Sequence, residues 1–502
     1  MSLRTGKLGH ADYGGTLEVA ADVAVIGAGA GGCAAAFALA RRGLKVAVFE
    51  EGRHWSPADF KPDNPFALRN LYQDQGTRAA IGEGLMPING GRGVGGSTLI
   101  NSAISFRTPP QVLSGWRERF GFDPEGSFER RLDEVWETLG IIVNPENVQG
   151  RNNTIFRDGV EALGIPGGAF MHRSAPGCGG CGVCQLGCPS GGKNSADRTF
   201  LARALLSGNV GVYADCRAES VESDGGRVTA VGGRVLDHDF NTVGTWRVTA
   251  PRFVLSGGPI GSPRFLTANG MAPNDHVGRH LRLHPASAVC AKFDEPIRHW
   301  WGVSQGYYVD RWEEGFLLET GTVTPDVSFM ALPLALGEEI NQVMADLPYL
   351  AAAGAMVHDE DTVAEVGATT ISFSFGEQDR RRLIQGLRAC ARIFFAAGAR
   401  YAVPPVTGLG ILRPGDDLDA ALSLDLPFHR IRALSSHPMG TCRMGTDPDT
   451  SVVGPDGRVW GWENLHVADA SVFPSSLGVN PQVTVMACGL MIGDAAAAAE
   501  GA

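Results

Sequence analysis

The stretch from Asp22 to Glu50 constrains this chain more than any other part of it. Residues 22–26 are a short apolar run with strand character. Gly27, Gly29 and Gly32 follow at once in the spacing G-x-G-x-x-G. Residues 33–42 are alanine-rich and read as a helix stopped by Gly43, and residues 45–49 read as a second strand ending at Glu50. The glycines alone are weak signals. With strand, helix, second strand and terminal acid around them they form a dinucleotide-binding βαβ unit. Gly27 permits the tight turn, Gly29 lets backbone N–H groups reach a pyrophosphate, and Gly32 lets the helix pack closely on the strand. The phosphates would sit on the helix N-terminus, where unpaired N–H groups and the helix dipole favour anions. The Glu50 carboxylate stands where it can accept from both ribose hydroxyls. This unit by itself does not separate FAD from NAD.

Composition narrows the rest. Of 502 residues, 44% are hydrophobic and 19% charged, which supplies a sizeable core and excludes a disordered chain. At ~150 residues per domain the length suggests about three units or one large composite fold. Glycine occurs 68 times, about twice its ordinary share, in short runs suited to close approach of backbone to a ligand. The net charge of −11, with no basic stripe, argues against nucleic acid and anionic membrane as partners. No segment has the roughly 18 consecutive apolar residues needed to span a bilayer. Residues 1–20 mix charges with no apolar run, and Arg41 and Arg42 lie too far inside the fold to be an export signal. The expectation is a soluble, cytoplasmic protein with no transmembrane segment.

A second glycine-rich segment, residues 90–101, makes another nest of backbone donors. Gly95 and Gly96 would let a flat ring system lie against the main chain, while Ser97, Thr98 and Asn101 offer hydrogen bonds. The segment lacks a Gly-Lys-Ser/Thr ending, which argues against a nucleoside triphosphatase. Downstream come residues 435–445 with His437, residues 464–474 with a strand ending at Asp469, and residues 476–485 with Asn480 and Pro481. The last segment leads into an alanine-rich helix.

On these residues the chain resembles the glucose–methanol–choline (GMC) oxidoreductases, which bind FAD. The match rests on residues 27–32 with Glu50, on 95–101, on 256–263, and on the block from 437 to 487. It looks closest to the long-chain alcohol oxidases, which carry a cysteine-rich stretch before a Gly-x-Lys, as at 178–193 here. The resemblance implies an α/β fold: a Rossmann-like FAD domain built from residues 1–289 and 406–502, with the cysteine-rich loop at 177–193. Residues 290–405 would form an antiparallel-sheet substrate domain backed by helices. Strand-like runs lie at 302–309 and 369–375, and a helical pattern at 377–397. Apolar residues such as Trp300, Trp301, Tyr307, Tyr308, Phe316, Phe329, Met330, Leu332 and Leu334 favour a greasy substrate, although such residues serve more often as core.

The implied chemistry is oxidation of an alcohol, with removal of the hydroxyl proton and passage of the α-hydride to flavin N5. His437 occupies the family's catalytic histidine position. Asn480 occupies the second position and can hydrogen-bond the substrate oxygen, but an amide takes no proton at neutral pH, so His437 is the expected base. Gly95, Gly96, Ser97, Asn101 and Pro481 would line the cofactor, with Asp469 near its pyrophosphate or ribityl chain. His284 reads either as a structural hydrogen-bonder or as a substrate contact, and His466 as structural. Glu338 and Glu339 are the next candidates for a base. The electron acceptor would be oxygen or another oxidant. Three other readings stay open: a sterol-type oxidase, a non-redox lyase that merely holds FAD, and an electron-transfer subunit.

Cys178, Cys181, Cys184 and Cys188, followed by Pro189, have the spacing of a bacterial ferredoxin run. Three thiolates so spaced can wrap one corner of an iron–sulfur cluster. In ferredoxins the fourth serves another cluster, so a three-iron cluster, or a ligand from elsewhere such as Cys216, would be needed. Zinc, a disulfide and simple reduced thiols in a glycine-rich loop are the alternatives.

Overall fold

The computed structural model describes residues 3–322, 324–327, 332–333 and 337–498. Six parallel strands make the nucleotide-facing sheet. In spatial order they are Gly6–Leu8, Val210–Tyr213, Val46–Phe49, Val23–Ile26, Arg252–Leu255 and Leu465–Val467. The inner strands Val210–Tyr213, Val46–Phe49 and Val23–Ile26 are buried along their whole length, as parallel strands covered on both faces must be. Helices Ala30–Ala40 and Gln482–Ala498 pack against this sheet and against each other. Both are rich in alanine, which favours helix, and apolar around nearly the whole barrel, which demands burial. Their approach depends on missing side chains: a Cβ at Gly489 would come within 2.5 Å of the Gly31 carbonyl oxygen. A four-stranded sheet of Cys216–Asp224, Arg227–Leu236, Thr242–Thr249 and Thr16–Ala20 joins the same core, with Trp246 stacked on Phe49 at 4.2 Å between centroids.

The second half is an antiparallel six-stranded sheet. Its order is Tyr401–Val403, Ala286–Lys292, Leu350–Val357, Phe316–Thr320, Tyr307–Arg311 and Gly168–Phe170. Helices Glu377–Ala396 and Arg151–Ala162 share its core. Side chains alternate along each strand. Phe316 and Leu318 therefore enter that core, while their neighbour Glu319 faces a large cavity on the other side.

Several expectations are adjusted here. The strand expected at 302–309 is Tyr307–Arg311. The run at 369–375 forms Ile371–Ser374, which belongs to a separate sheet with Val363–Val366, Ala79–Ile81 and Leu85–Pro87. Strand Ala286–Lys292 crosses the expected limit between 289 and 290, and the antiparallel sheet also recruits Gly168–Phe170 from much earlier in the chain. Among the apolar residues singled out, Tyr307 and Phe316 are core, Trp301 is exposed, and Leu332 lines the cavity. Phe329, Met330 and Leu334 lie outside the described residues. Among the described residues no helix is long and apolar enough to cross a membrane.

Candidate active site

Between the two sheets runs one cavity of about 1550 Å³. Pockets for a single small ligand hold roughly 300–1,000 Å³, so this space takes a large ligand together with a second one. Gly27, Gly29 and Glu50 line one end, and His437, Asn480 and Glu319 line another part of the same wall.

The nucleotide end is built by backbone. Gly27 has φ +107°, and a side chain there would overlap the Ser256 carbonyl. A side chain at Gly32 would overlap the Gly27 carbonyl, so the helix and the turn approach too closely there for any Cβ. Gly29 caps the helix Ala30–Ala40 and has nothing within 4 Å of where its Cβ would stand, so its backbone faces open cavity. The second glycine loop docks directly on the first. Gly95 N–H donates to the Ala28 carbonyl at 2.8 Å, and a Cβ on Gly96 would meet Gly29 Cα at 2.7 Å. Glu50 accepts from the N–H groups of Ala28 at 2.9 Å, Gly52 at 3.0 Å and Gly93 at 3.2 Å. It therefore binds both loops and the strand end into one unit. Burial, helped by the nearby Glu51, outweighs those three donors and raises its pKa to about 7.

Other side chains are more occupied than their sequence suggested. Ser97 Oγ accepts from Gly91 N–H at 2.9 Å, Thr98 donates to the Gly95 carbonyl at 2.6 Å, and Asn101 pairs with Gln482 at 2.9 Å. Pro481 lines the cavity, just before helix Gln482–Ala498. Asp469 also lines it, yet its oxygens accept from Ser471 N–H at 2.8 Å, Ser262 Oγ at 2.6 Å and Gly258 N–H at 2.9 Å. It positions the 256–258 loop beneath the cavity.

The other end is built by loops pinned on both sides. Leu434 pairs with Ala286 and Met439 with Arg282 through reciprocal backbone bonds of 2.9 Å, so His437 sits on a short loop between two fixed points. The Asp359 carboxylate accepts from Leu283 N–H, His284 N–H and Ser476 Oγ, tying the 283–284 turn to the loop that carries Asn480. His284 is fully buried, with φ +48°. Its Nε2 accepts from Leu477 N–H at 3.2 Å and Gly478 N–H at 2.9 Å, which makes it an anchor of that loop. The Asn480 amide nitrogen lies 3.5 Å from His437 Nε2. Burial, with a smaller contribution from His284, pushes the His437 imidazole down to about 3, so it is neutral across the physiological range.

Glu319 is the residue that sequence reasoning missed. It lies beside Asn480 on the cavity wall, and burial raises its carboxyl to about 8 although the neighbouring Asn480 amide opposes the shift. Only a polar residue interrupting the apolar strand Phe316–Thr320 could have signalled it. Glu338 and Glu339, by contrast, are exposed on helix Glu338–Ala345 and do not line the cavity. Among the described residues Glu319 Oε1, Asn480 Oδ1 and His284 Nδ1 have no hydrogen-bond partner. Buried polar atoms are almost always paired, so these three atoms are left with hydrogen-bonding capacity beside the cavity.

The raised Glu319 carboxyl has a consequence for stability. Folding lifts its pKa from the ordinary 4.5 to about 8, so its contribution is complete below 4.5 and is lost as pH rises through 8. Glu319→Gln is expected to remove that alkaline loss, on the order of a few kcal/mol. Melting curves should show a smaller fall in Tm between pH 6 and pH 9 for the variant than for the parent; equal falls would contradict a buried, neutral Glu319.

Cys178, Cys181, Cys184 and Cys188 all line one small cavity, together with Arg173 and Lys193. Cys216 is elsewhere, buried at the nucleotide end beside Tyr13, and cannot be a fourth ligand. None of the ten cysteines is joined to another in this structure.

A parallel sheet with two interlocked glycine loops, a terminal acid and a histidine–amide pair along one cavity is the architecture of an FAD-dependent oxidoreductase. The chain belongs to the GMC oxidoreductase family. Family models described as GMC oxidoreductase match residues 68–286 and 359–489, and one described as FAD dependent oxidoreductase matches residues 22–58. An uncharacterized GMC-type oxidoreductase of Mycobacterium tuberculosis is 34% identical over 94% of this chain and 75% of its own length. A long-chain-alcohol oxidase of Arabidopsis thaliana is 29% identical over 95% of this chain and 68% of its own. Pyridoxine 4-oxidase from Mesorbium loti superposes with a TM-score of 0.71 over 94% of this chain and 98% of its own, at 18% identity, which shows a shared fold. This chain is accordingly an enzyme that binds FAD and acts on CH–OH groups.

Proposed function

We propose that the enzyme oxidises a hydrophobic alcohol to its aldehyde or ketone, with His437 as the base. The observation that carries this reading is the His437–Asn480 pair beside orphaned polar atoms on the cavity wall. A hydroxyl oxygen placed between them would accept from the Asn480 amide and donate its proton to His437 Nε2. A neutral imidazole is the form able to take that proton. The chemistry supplied by bound FAD is acceptance of the α-hydride at N5. The substrate sheet contributes Ala288, Cys290, Ala352, Met356 and Val403 to the cavity, and this apolar surface supports a greasy substrate over a sugar. The long-chain-alcohol oxidases among the relatives point the same way.

Denaturing the purified protein is expected to release about one FAD per chain. Under anaerobic conditions long-chain primary alcohols should bleach the flavin bands faster than short or sugar alcohols do. A flavin that no alcohol bleaches would overturn the oxidation reading in favour of a lyase. Preferential bleaching by sterols would move the substrate class.

A further inference from the structure

The cysteine cavity has features that a resting set of thiols does not explain. Arg173 is 0% exposed and Lys193 3% exposed, and neither forms an ion pair with a carboxylate among the described residues. Burying a cation without a counter-charge is costly, so negative charge belongs beside these two. The Arg173 guanidinium is aimed at sulfur, reaching Cys184 Sγ at 3.3 Å and Cys178 Sγ at 3.5 Å, and the Lys193 backbone N–H lies 3.3 Å from Cys188 Sγ. An anionic group bound among these sulfurs would supply the missing charge. The loop itself is held in one shape: a side chain at Gly182 would overlap the Trp300 carbonyl, and one at Gly187 would overlap the Phe60 ring.

A single zinc ion would draw four sulfurs to about 3.8 Å from one another, given bonds of about 2.3 Å. No three of these sulfurs lie within 4.8 Å of one another. Thiolates on the separate corners of a cluster would stand farther apart than that, and Cys188 lines the same cavity as a fourth sulfur.

The same cations connect this cavity to the FAD site. Lys193 Nζ donates to the carbonyls of Leu99 and Asn101 at 2.8 Å, and Arg173 donates to the carbonyl of Ser102. Asn101 and Ser102 line the large cavity, and so does Gln185, the neighbour of Cys184. Cys181, in the lining of the cysteine cavity, is exposed to solvent. The cysteine cavity thus adjoins the flavin site and also reaches the surface.

We propose that Cys178, Cys181, Cys184 and Cys188 hold an iron–sulfur cluster that passes electrons from the flavin site to a one-electron acceptor protein docking over Cys181. This rests on the alcohol-oxidising reading of the main site. Oxidising one alcohol to its carbonyl releases two electrons and two protons. The electrons leave singly through the cluster to two equivalents of the acceptor, which are reduced, and the protons pass to solvent. The route makes the enzyme a dehydrogenase toward such acceptors rather than an enzyme dependent on oxygen alone.

The test uses the holoenzyme isolated without air after expression with added iron. About four iron and four acid-labile sulfide per chain are expected. Cys184→Ser should lose them, and Cys390→Ala, in the core of the substrate half, should keep them. When alcohol is mixed anaerobically with the parent, the broad cluster absorption should bleach after the flavin bands, a readout that needs no variant. Cytochrome c, too large to enter the cavity, is the acceptor probe. Its reduction should slow at least tenfold in Cys184→Ser while alcohol still bleaches the flavin. Iron well below one atom per chain, zinc in its place, or equal cytochrome c rates in parent and variant would overturn the proposal. Absence of FAD, or a flavin inert to every alcohol, would instead defeat the reading of the main site whatever the iron content.

Discussion

Replacing His437 with alanine is expected to slow reduction of the bound flavin by alcohol about 10²–10⁴-fold, the usual worth of a positioned general base. The substrate's apparent Kd should change far less, because the proton moves in the transition state and not in the bound ground state. Asn480→Ala should cost less, about 1–3 kcal/mol for one hydrogen bond lost in a desolvated site. Burial holds His437 at about 3, so the parent should keep its reductive rate as pH falls through the ordinary imidazole value of 6.5 and lose it only in stronger acid. The same depression means that stability from the buried neutral ring is complete above 6.5 and is lost as pH falls toward 3, a loss the alanine variant should not share. Rapid-mixing measurements of flavin bleaching from pH 4 to 9 decide the point. A variant that bleaches as fast as the parent would remove His437 from the chemistry and leave Glu319 as the next group to examine.

Glu50→Ala is expected to empty the FAD site and destabilise the fold. Three buried backbone N–H groups, on Ala28, Gly52 and Gly93, would lose their acceptor together. An unsatisfied buried donor costs about 1–3 kcal/mol, so the sum is on the order of 3–5 kcal/mol after some relief by water. Glu50→Gln should fare little better. Its amide has one acceptor oxygen, and its NH₂ would confront either the Ala28 donor or the Gly52 and Gly93 donors. FAD content after gel filtration and Tm by calorimetry measure both effects. A Glu50→Ala protein carrying full FAD at the parental Tm would show that the two glycine loops hold together without the carboxylate.

The nucleotide half was legible before any coordinates. Strand, turn, helix, strand and acid follow one another between residues 22 and 50, and each needs only near neighbours in sequence to form. Gly27 and Gly32 could be assigned because sterics alone forbid a side chain there, and the structure finds a carbonyl oxygen at each site. His437 and Asn480 were found through resemblance and not through local pattern, since a histidine and an asparagine in loops carry no periodic signal.

Three features belonged to the tertiary structure alone. Asn101 turns inward to Gln482, a partner that only long-range packing supplies, while Ser97 folds back on Gly91 within its own loop. Cys188 turns back to the cavity of the other three cysteines, and Cys216 is carried away by its own strand to the nucleotide end. Glu319 meets Asn480 because the pairing of Phe316–Thr320 with Leu350–Val357 sets which of its alternating side chains face the cavity. A shift of one residue in that register would have put Leu318 there instead. The sequence by itself determined the βαβ unit of residues 22–50, whose signals of strand, turn and helix are local. The arrangement of the reacting groups depended on strand register and loop docking across long sequence distances, and no single segment encodes those.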